Sequence, residues 1–529
     1  MKRIADQMGD LNLNFQSTIN DSIGRAFAVQ ARRGPNELCS SEAGRELYIP
    51  HPSLIRKLRN FLGDESATFK TPEQAEAIEF VLAYVGHLLF VAPTAVGKTL
   101  AYLLPAAERE HGITCVLLPL SALHADFDRR CKDLKIESSR WTLDNPRPMT
   151  KIVYVSPENA QRKQFTDYLF ELRNLGHLKH FVVDEVHLVT SHSDFRFCFL
   201  ALKTLLSCGM FENQLKWTES NLGCTGVPFL LLTATCPPHL RPKLLSMLGI
   251  YDDCHVIHAP TDRPEISYRV NLFSTLDEAK RSLVDAVKAK LVNTDSSFRG
   301  LVYCRSTEDV EQLAEMIGCK PFHAGRPEEE RKVSFMDWVD GKQKFMVCSS
   351  LMGCGVDVEG VTTVYHFGTP WSILDFVQES GRAGRSGKRS LSVVYAGKDE
   401  REPIVGDEDL YGKVTMRDWV LQTSVCRRTA LSSFLDNGHI TCTRLKRAAL
   451  CDVCIAESGK PHPGRLVPFL TPVTPARDIP EARQPPTIPP SSFEYEISRS
   501  APAEDTRLVI FQTQQRFSWL SLIQNNLGR

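Results

Sequence analysis

Leu88-Leu89-Phe90-Val91-Ala92-Pro93-Thr94-Ala95-Val96-Gly97-Lys98-Thr99 is an apolar run, a short turn and a Gly-Lys-Thr, followed by Leu100-Ala101-Tyr102-Leu103-Leu104. The run 88–91 has the composition of a buried strand, and 100–104 that of a helix. A tight turn between the two aims backbone N–H groups and a helix N-terminus at anionic oxygens. Lys98 adds a point charge, and the Thr99 hydroxyl suits Mg²⁺. Pro93, Thr94, Ala95, Val96 and Gly97 form the cradle. Ala92 stands where the general pattern has its leading glycine. A chance Gly-Lys-Thr in a loop would lack both flanks.

Outward from this stretch, Thr71 is placed to cap a helix opening at Pro72. Runs 115–118, 152–155, 181–183 and 229–232 are almost wholly apolar, as strands buried on both faces are. Helical stretches separate them, which predicts a parallel α/β sheet. The rhythm restarts after about residue 260, with strands expected at 301–304, 345–348, 363–366 and 391–395 and helices at 308–317 and 373–379. The chain therefore reads as two α/β lobes in tandem. The expected divisions are a mostly helical segment over 1–65, lobes over 66–258 and 259–402, and a helical, cysteine-bearing module over 403–456. A proline-rich tail, extended or disordered, covers 457–529.

Lys+Arg and Asp+Glu balance at 63 each, so no global positive field advertises nucleic acid, although a local basic groove suffices for that. The N-terminal Met1-Lys2-Arg3-Ile4-Ala5-Asp6-Gln7 lacks the apolar centre of a signal peptide. No apolar run approaches the ~20 residues of a membrane helix, so no membrane role is expected. Most of the sixteen cysteines are scattered singly, as at Cys115, Cys198 and Cys348, which fits buried free thiols in a reducing compartment.

Phe181-Val182-Val183-Asp184-Glu185-Val186-His187 is a strand ending in two acids. Beside a phosphate loop, Asp184 suits Mg²⁺ and Glu185 suits activation of an attacking water. Thr233-Ala234-Thr235 follows another strand, and its hydroxyls are placed to bridge the acids to the rest of the site. Gln378-Glu379-Ser380-Gly381-Arg382-Ala383-Gly384-Arg385 sets two arginines one helical turn apart. A transferring γ-phosphate needs positive charge that arrives when the site assembles, and an arginine finger from the opposite lobe supplies it. The adjoining glycines permit close backbone approach.

In this order the motifs resemble those of superfamily 2 helicases, and specifically the RecQ family of DNA helicases, over about residues 66–455. Phe69 to Gln74 resembles the adenine-reading motif, so Gln74 is implied to bind the adenine edge. Ala92–Thr99, Pro119–Leu123, Ser156–Glu158, Asp184–His187 and Thr233–Thr235 resemble motifs I, Ia, Ib, II and III. Val302–Ser306, Phe322–Gly325, Gly353–Asp357 and Gln378–Arg385 continue the series to motif VI. The resemblance implies ATP between two RecA-like lobes and single-stranded or forked DNA across their top, with 3′–5′ movement in recombination or repair. Lys98, Asp184, Glu185, Gln378, Arg382 and Arg385 are then the catalytic set. Ser121, Phe195 and Arg196 are the implied DNA contacts, and nuclear residence follows from the DNA role, with the cytoplasm as the alternative.

Cys426-Arg427-Arg428, Cys442 and Cys451-Asp452-Val453-Cys454 resemble the family's zinc-binding subdomain. Four thiolates can close a structural Zn²⁺ shell. Arg427, Arg428, Arg444, Lys446 and Arg447 make this module locally basic, which suits phosphates. Two departures stand out. Ser191 to Arg196 lacks the tryptophan of the family's aromatic-rich loop, and the residues after Cys454 leave little room for a winged-helix domain. These departures support a second reading, a degenerate, non-unwinding nucleic-acid-binding protein, and an RNA helicase of the DEAD-box type stays open as a third, against which Gln378 and the cysteine module argue.

Overall fold

The structure, a computed structural model, describes residues 48–83, 86–94, 96–108, 112–118, 122–191, 227–250, 254–292, 294–349, 358, 360–400 and 409–459. Among them, seven strands form a first sheet: β1 His87–Val91, β2 Ile113–Leu117, β3 Ser138–Arg140, β4 Ile152–Val155, β5 Leu178–Val183, β6 Phe229–Thr233 and β7 Cys254–His258. All pair in parallel, in the order β3-β4-β2-β5-β6-β1-β7. Side chains alternate across a strand. Leu89, Leu117, Val153, Phe181 and Leu231 accordingly enter one core, and Phe90, Val116, Tyr154, Val182 and Leu230 the other. With both faces covered, the central strands are apolar over most of their length. Each buried Leu or Phe contributes roughly 1.5–3 kcal/mol relative to exposure, so the strand ends that carry the motifs rest on the most firmly held part of the lobe.

The topology brings the motifs together. Strand β6 lies between β5 and β1, with Val183 level with Leu231 and Val91 level with Thr233. The phosphate loop, the Thr-Ala-Thr and the acidic pair therefore leave neighbouring strands at one edge, the carboxyl edge where ligands of such sheets bind.

A second sheet contains β8 Ile266–Phe273, β9 Arg299–Cys304, β10 Pro321–Phe322, β11 Phe345–Cys348, β12 Val361–Phe367 and β13 Ser390–Gly397. It too is parallel, in the order β10-β11-β9-β12-β13-β8. Every apolar run expected to be a strand lies in one or directly abuts it. The elements not foreseen, β3, β7, β8 and β10, are the four edge strands, half-exposed or very short, where the continuous apolar signal fades.

The helices Lys413–Leu421, Arg427–Asp436 and Asp452–Glu457 carry the cysteine module. Met416, Trp419, Leu431 and Leu435 share a core with Tyr268 and Phe376 of the second lobe, and the Trp419 and Phe376 rings lie 4.7 Å apart. Arg427 and Arg428 correct the sequence reading. Both are buried and spent on protein groups, so they do not meet phosphate. Arg427 makes a two-point pair with Asp452, 2.9 Å at each contact. Arg428 donates to Asp262 at 2.7 Å and to the carbonyl of Ile266 at 2.6 Å. Arg444, Lys446 and Arg447 are exposed.

Cys115, Cys131, Cys304 and Cys348 are buried free thiols, whereas Cys198 lies outside the described residues. No helix among the described residues is long and apolar enough to cross a membrane.

Candidate active site

Thr71 caps the helix Pro72–Ala83 as its sequence suggests, its hydroxyl accepting from the Gln74 N–H at 3.1 Å. That helix presents the Gln74 side chain to the underside of the phosphate loop. The Gln74 amide donates to the carbonyls of Val96 (2.8 Å) and Gly97 (3.2 Å), while its oxygen accepts from the Lys70 N–H at 2.8 Å. Both N–H groups are thus committed to holding the loop. Gly97 is in the left-handed region at φ 86, and a Cβ there would lie 2.9 Å from Gln74 Nε2. Only glycine fits both demands.

Lys98 Nζ donates to the Ala92 carbonyl at 3.0 Å, folded across the cradle. Desolvation lowers its pKa against the opposing pull of Glu185 and Asp184. At the end of β5, Glu185 has φ 51, a backbone state that costs a non-glycine residue about 1–3 kcal/mol. That turn sets the two carboxyls side by side, with the Glu185 N–H on Asp184 Oδ1 at 2.9 Å. Burial, then the neighbouring Glu185 charge, pushes Asp184 up to about 7. Burial also presses Glu185 upward, but His187, Lys98, Arg382 and Arg385 together outweigh it and hold Glu185 below its ordinary value.

His187 joins the acids to the threonines. Its Nδ1 lies 3.4 Å from Glu185 Oε2 and 3.0 Å from Thr233 Oγ1. Thr233 spends its own hydroxyl proton on the Thr235 carbonyl at 3.1 Å, so Nδ1 carries the hydrogen. Thr235 Oγ1 accepts from Gln378 Nε2 of the second lobe at 2.9 Å. The bridging expected of the Thr-Ala-Thr is therefore seen, routed through His187 on one side and Gln378 on the other.

The helix Ile373–Ser380, capped by Ser372 through a bond to the Asp375 N–H, delivers motif VI to the first lobe. Thr94 Oγ1 of the phosphate loop donates to the Gly381 carbonyl at 3.0 Å. Thr94, Glu185, His187, Gln378, Arg382 and Arg385 line one small cavity between the lobes. The arginines thus face the phosphate loop, as a finger requires. Thr99 lies at the entry to the helix Leu100–Glu108, where its carbonyl accepts from the Tyr102 and Leu103 N–H groups. Ala95, Ser121, Phe195, Arg196 and the motif V stretch 353–357 lie outside the described residues.

Sequence reasoning missed Arg263. Its guanidinium donates to Thr94 Oγ1 and to the carbonyls of Gly381 and Ala383. An arginine before a proline in an inter-lobe link carries no periodic signal, and nothing in the chain marked it.

Cys426, Cys442, Cys451 and Cys454 meet, their sulfurs all within 4.8 Å of one another. The Cys426–Cys442 and Cys426–Cys451 sulfur separations are 3.6 and 3.9 Å. A tetrahedral shell with ~2.3 Å bonds has edges of about 3.8 Å, so the set fits zinc. Backbone N–H groups of Arg427, Cys442 and Cys451 point at three of the sulfurs at 3.3–3.5 Å, as suits thiolates.

Two family models match this chain, DEAD/DEAH box helicase over residues 71–241 and helicase conserved C-terminal domain over 282–387. Two parallel lobes with a phosphate loop, an acidic strand end and facing arginines define a superfamily 2 helicase core. Similar proteins include ATP-dependent DNA helicase Q5 of Rattus norvegicus, 31% identical over 371 residues, covering 66% of this chain and 36% of that protein. ATP-dependent helicase SGS1 of Saccharomyces cerevisiae is 29% identical over 417 residues, 74% of this chain and 26% of that protein. Within the superfamily, the chain belongs to the RecQ family. It spans little more than a third of the length of the Q5 relatives it matches. The DUF1998 helicase MrfA bound to DNA shares the fold, with TM-score 0.52 at 20% identity, covering 67% of this chain and 53% of that one.

Proposed function

We propose that the chain is an ATP-dependent DNA helicase or translocase that moves 3′ to 5′ along single-stranded or forked DNA, acting in the nucleus. The observation that carries this reading is the shared cavity: Arg382 and Arg385 of one lobe face Glu185 and the phosphate loop of the other.

In this reading Lys98 leaves the Ala92 carbonyl and turns to the triphosphate, whose phosphates take the loop N–H groups. Thr99 and Asp184 would hold Mg²⁺, which neutralises charge developing on the phosphates. Glu185, kept ionised by the cations around it, orients the attacking water and accepts its proton. Arg382 and Arg385 stabilise the transition-state charge. The chain His187–Thr233–Thr235–Gln378 makes the geometry at Glu185 depend on where the second lobe sits. Hydrolysis and lobe movement are then one event, a shift between lobe arrangements biased by the γ-phosphate. Ser121, Phe195 and Arg196 are the proposed DNA contacts, with Phe195 stacking on a base. The four cysteines would hold a structural Zn²⁺.

The test is ATP turnover with and without single-stranded DNA or RNA, beside Lys98→Ala and Glu185→Gln. DNA-stimulated hydrolysis abolished by both changes is the expected result. Stimulation by RNA alone would replace this reading with an RNA helicase. No hydrolysis at all would replace it with a binding protein.

A further inference from the structure

Arg263 stands between two α/β lobes, yet its side chain is buried and every contact it makes belongs to the ATP machinery or to its support. One terminal nitrogen, Nη1, donates to Thr94 Oγ1 at 2.7 Å and to the Gly381 carbonyl at 3.0 Å. The other, Nη2, donates to the Ala383 carbonyl at 2.8 Å. The gripped carbonyls are those immediately before and after Arg382. Nε pairs with Glu265, whose Cγ fills the space a Cβ on Gly384 would need. A planar guanidinium presents its donors in a fixed fork, so it can set the spacing of several acceptors at once, which an ammonium cannot.

The backbone that carries Arg263 is itself held from the cysteine module. Arg428 donates to Asp262 at 2.7 Å, to the carbonyl of Arg263 at 3.0 Å and to that of Ile266 at 2.6 Å. Arg428 lies two residues from Cys426. A continuous set of hydrogen bonds therefore runs from the cysteine cluster to the phosphate loop.

We propose that Arg263 is a positioning residue for ATP hydrolysis: it fixes the backbone on both sides of Arg382 and registers it against Thr94, with Arg428 and Asp262 as its anchor. This rests on the ATPase reading above, but its first test does not. Hydrogen exchange on the full chain reads the backbone directly. The amides of Gly381, Arg382 and Gly384 bond to the carbonyls of Val377, Glu379 and Val361, and in Arg263→Ala they should exchange at least ~10-fold faster. A rate within twofold of wild type overturns the proposal, whatever the protein's activity. In DNA-stimulated turnover, Arg263→Ala should lower kcat ~100-fold, the scale of a small misplacement, with the KM for ATP changed less than about threefold. Arg263→Lys keeps the charge but not the fork and should stay near the alanine level. Asp262→Asn should fall between them and wild type. A loss confined to KM, or full rescue by lysine, overturns the proposal. If Arg263→Ala does not fold, Arg263→Lys decides by the same two readouts. A wild-type chain that hydrolyses no ATP would sink the ATPase reading and leave the exchange result to judge Arg263.

Discussion

Gln378 Nε2 reaches from the second lobe to the Thr235 hydroxyl of the first, 2.9 Å away, and so ties motif VI to the end of β6. Thr235 is fully buried, so its hydroxyl has no ready water to replace the Gln378 amide. Gln378→Ala and Thr235→Val should each lower DNA-stimulated kcat by roughly 10–100-fold while leaving the KM for ATP within a few fold. The double variant should lose little more than either single one, because both remove the same bond. Additive losses in steady-state kinetics would mean that the two side chains act separately.

Asp184 makes the nucleotide-free site costly to fold at neutral pH. Burial holds the Asp184 carboxyl at about 7, above its ordinary 3.8. The folded chain then keeps a proton that the unfolded chain has already released across that window. Stability contributed by this group is present below pH ~4 and is lost as pH rises toward 7. Asp184→Asn cannot ionise, so in chelator at pH 8 it should be more stable than wild type by about 1–3 kcal/mol, with the gap closing toward pH 4. Thermal melts across that range check it. A gap that widens toward acid would refute the assignment. The variant should also lose ATP turnover, since the same carboxyl is proposed for Mg²⁺.

What the chain disclosed and what it hid follow from how far apart the partners lie. The central strands were legible because both faces are buried, which forces continuous apolar runs such as 229–232. The acids at 184–185 and the arginines at 382 and 385 were legible because each motif is compact and carries its chemistry in a few adjacent residues. Arg263 was not, since its acceptors on Thr94, Gly381 and Ala383 come from distant stretches and only the closed packing unites them. Gln74 was visible as a motif residue, but its grip on the loop carbonyls depends on the angle of its helix. Arg427-Arg428 misled for a related reason. Two adjacent arginines read as a basic surface until Asp452 and Asp262 are seen beside them in the core.

That correction has a measurable consequence. Arg427→Ala would leave Asp452 buried without its partner, a change of the kind that costs ~3–5 kcal/mol, and the chain should melt well below wild type. Arg444→Ala, on the surface, should change stability by no more than ~0.5 kcal/mol. In DNA binding the order reverses. Replacing Arg444, Lys446 or Arg447 should weaken affinity evenly across sequences and reduce the salt dependence by about one counterion each. An Arg427 variant that stays folded and yet loses the same salt slope would return that arginine to the phosphate-binding face.

The cysteine module should bind metal as part of its fold. Its helices are short, and the bonds from backbone N–H groups to sulfur place Cys426, Cys442 and Cys451 around a common centre. Thiolates at such spacing repel one another unless a cation joins them, so binding energy becomes folding energy. Metal analysis of the purified chain should return about one zinc per molecule. Strong chelation or Cys451→Ser should raise hydrogen exchange throughout 426–454 and loosen Trp419, whose indole N–H is held by the Arg427 carbonyl at 2.8 Å. Because Arg428 of the same helix anchors residues 262–266, exchange should also rise there. A metal-free preparation with wild-type exchange in both segments would show that packing against Phe376 and Tyr268 alone holds the module in place.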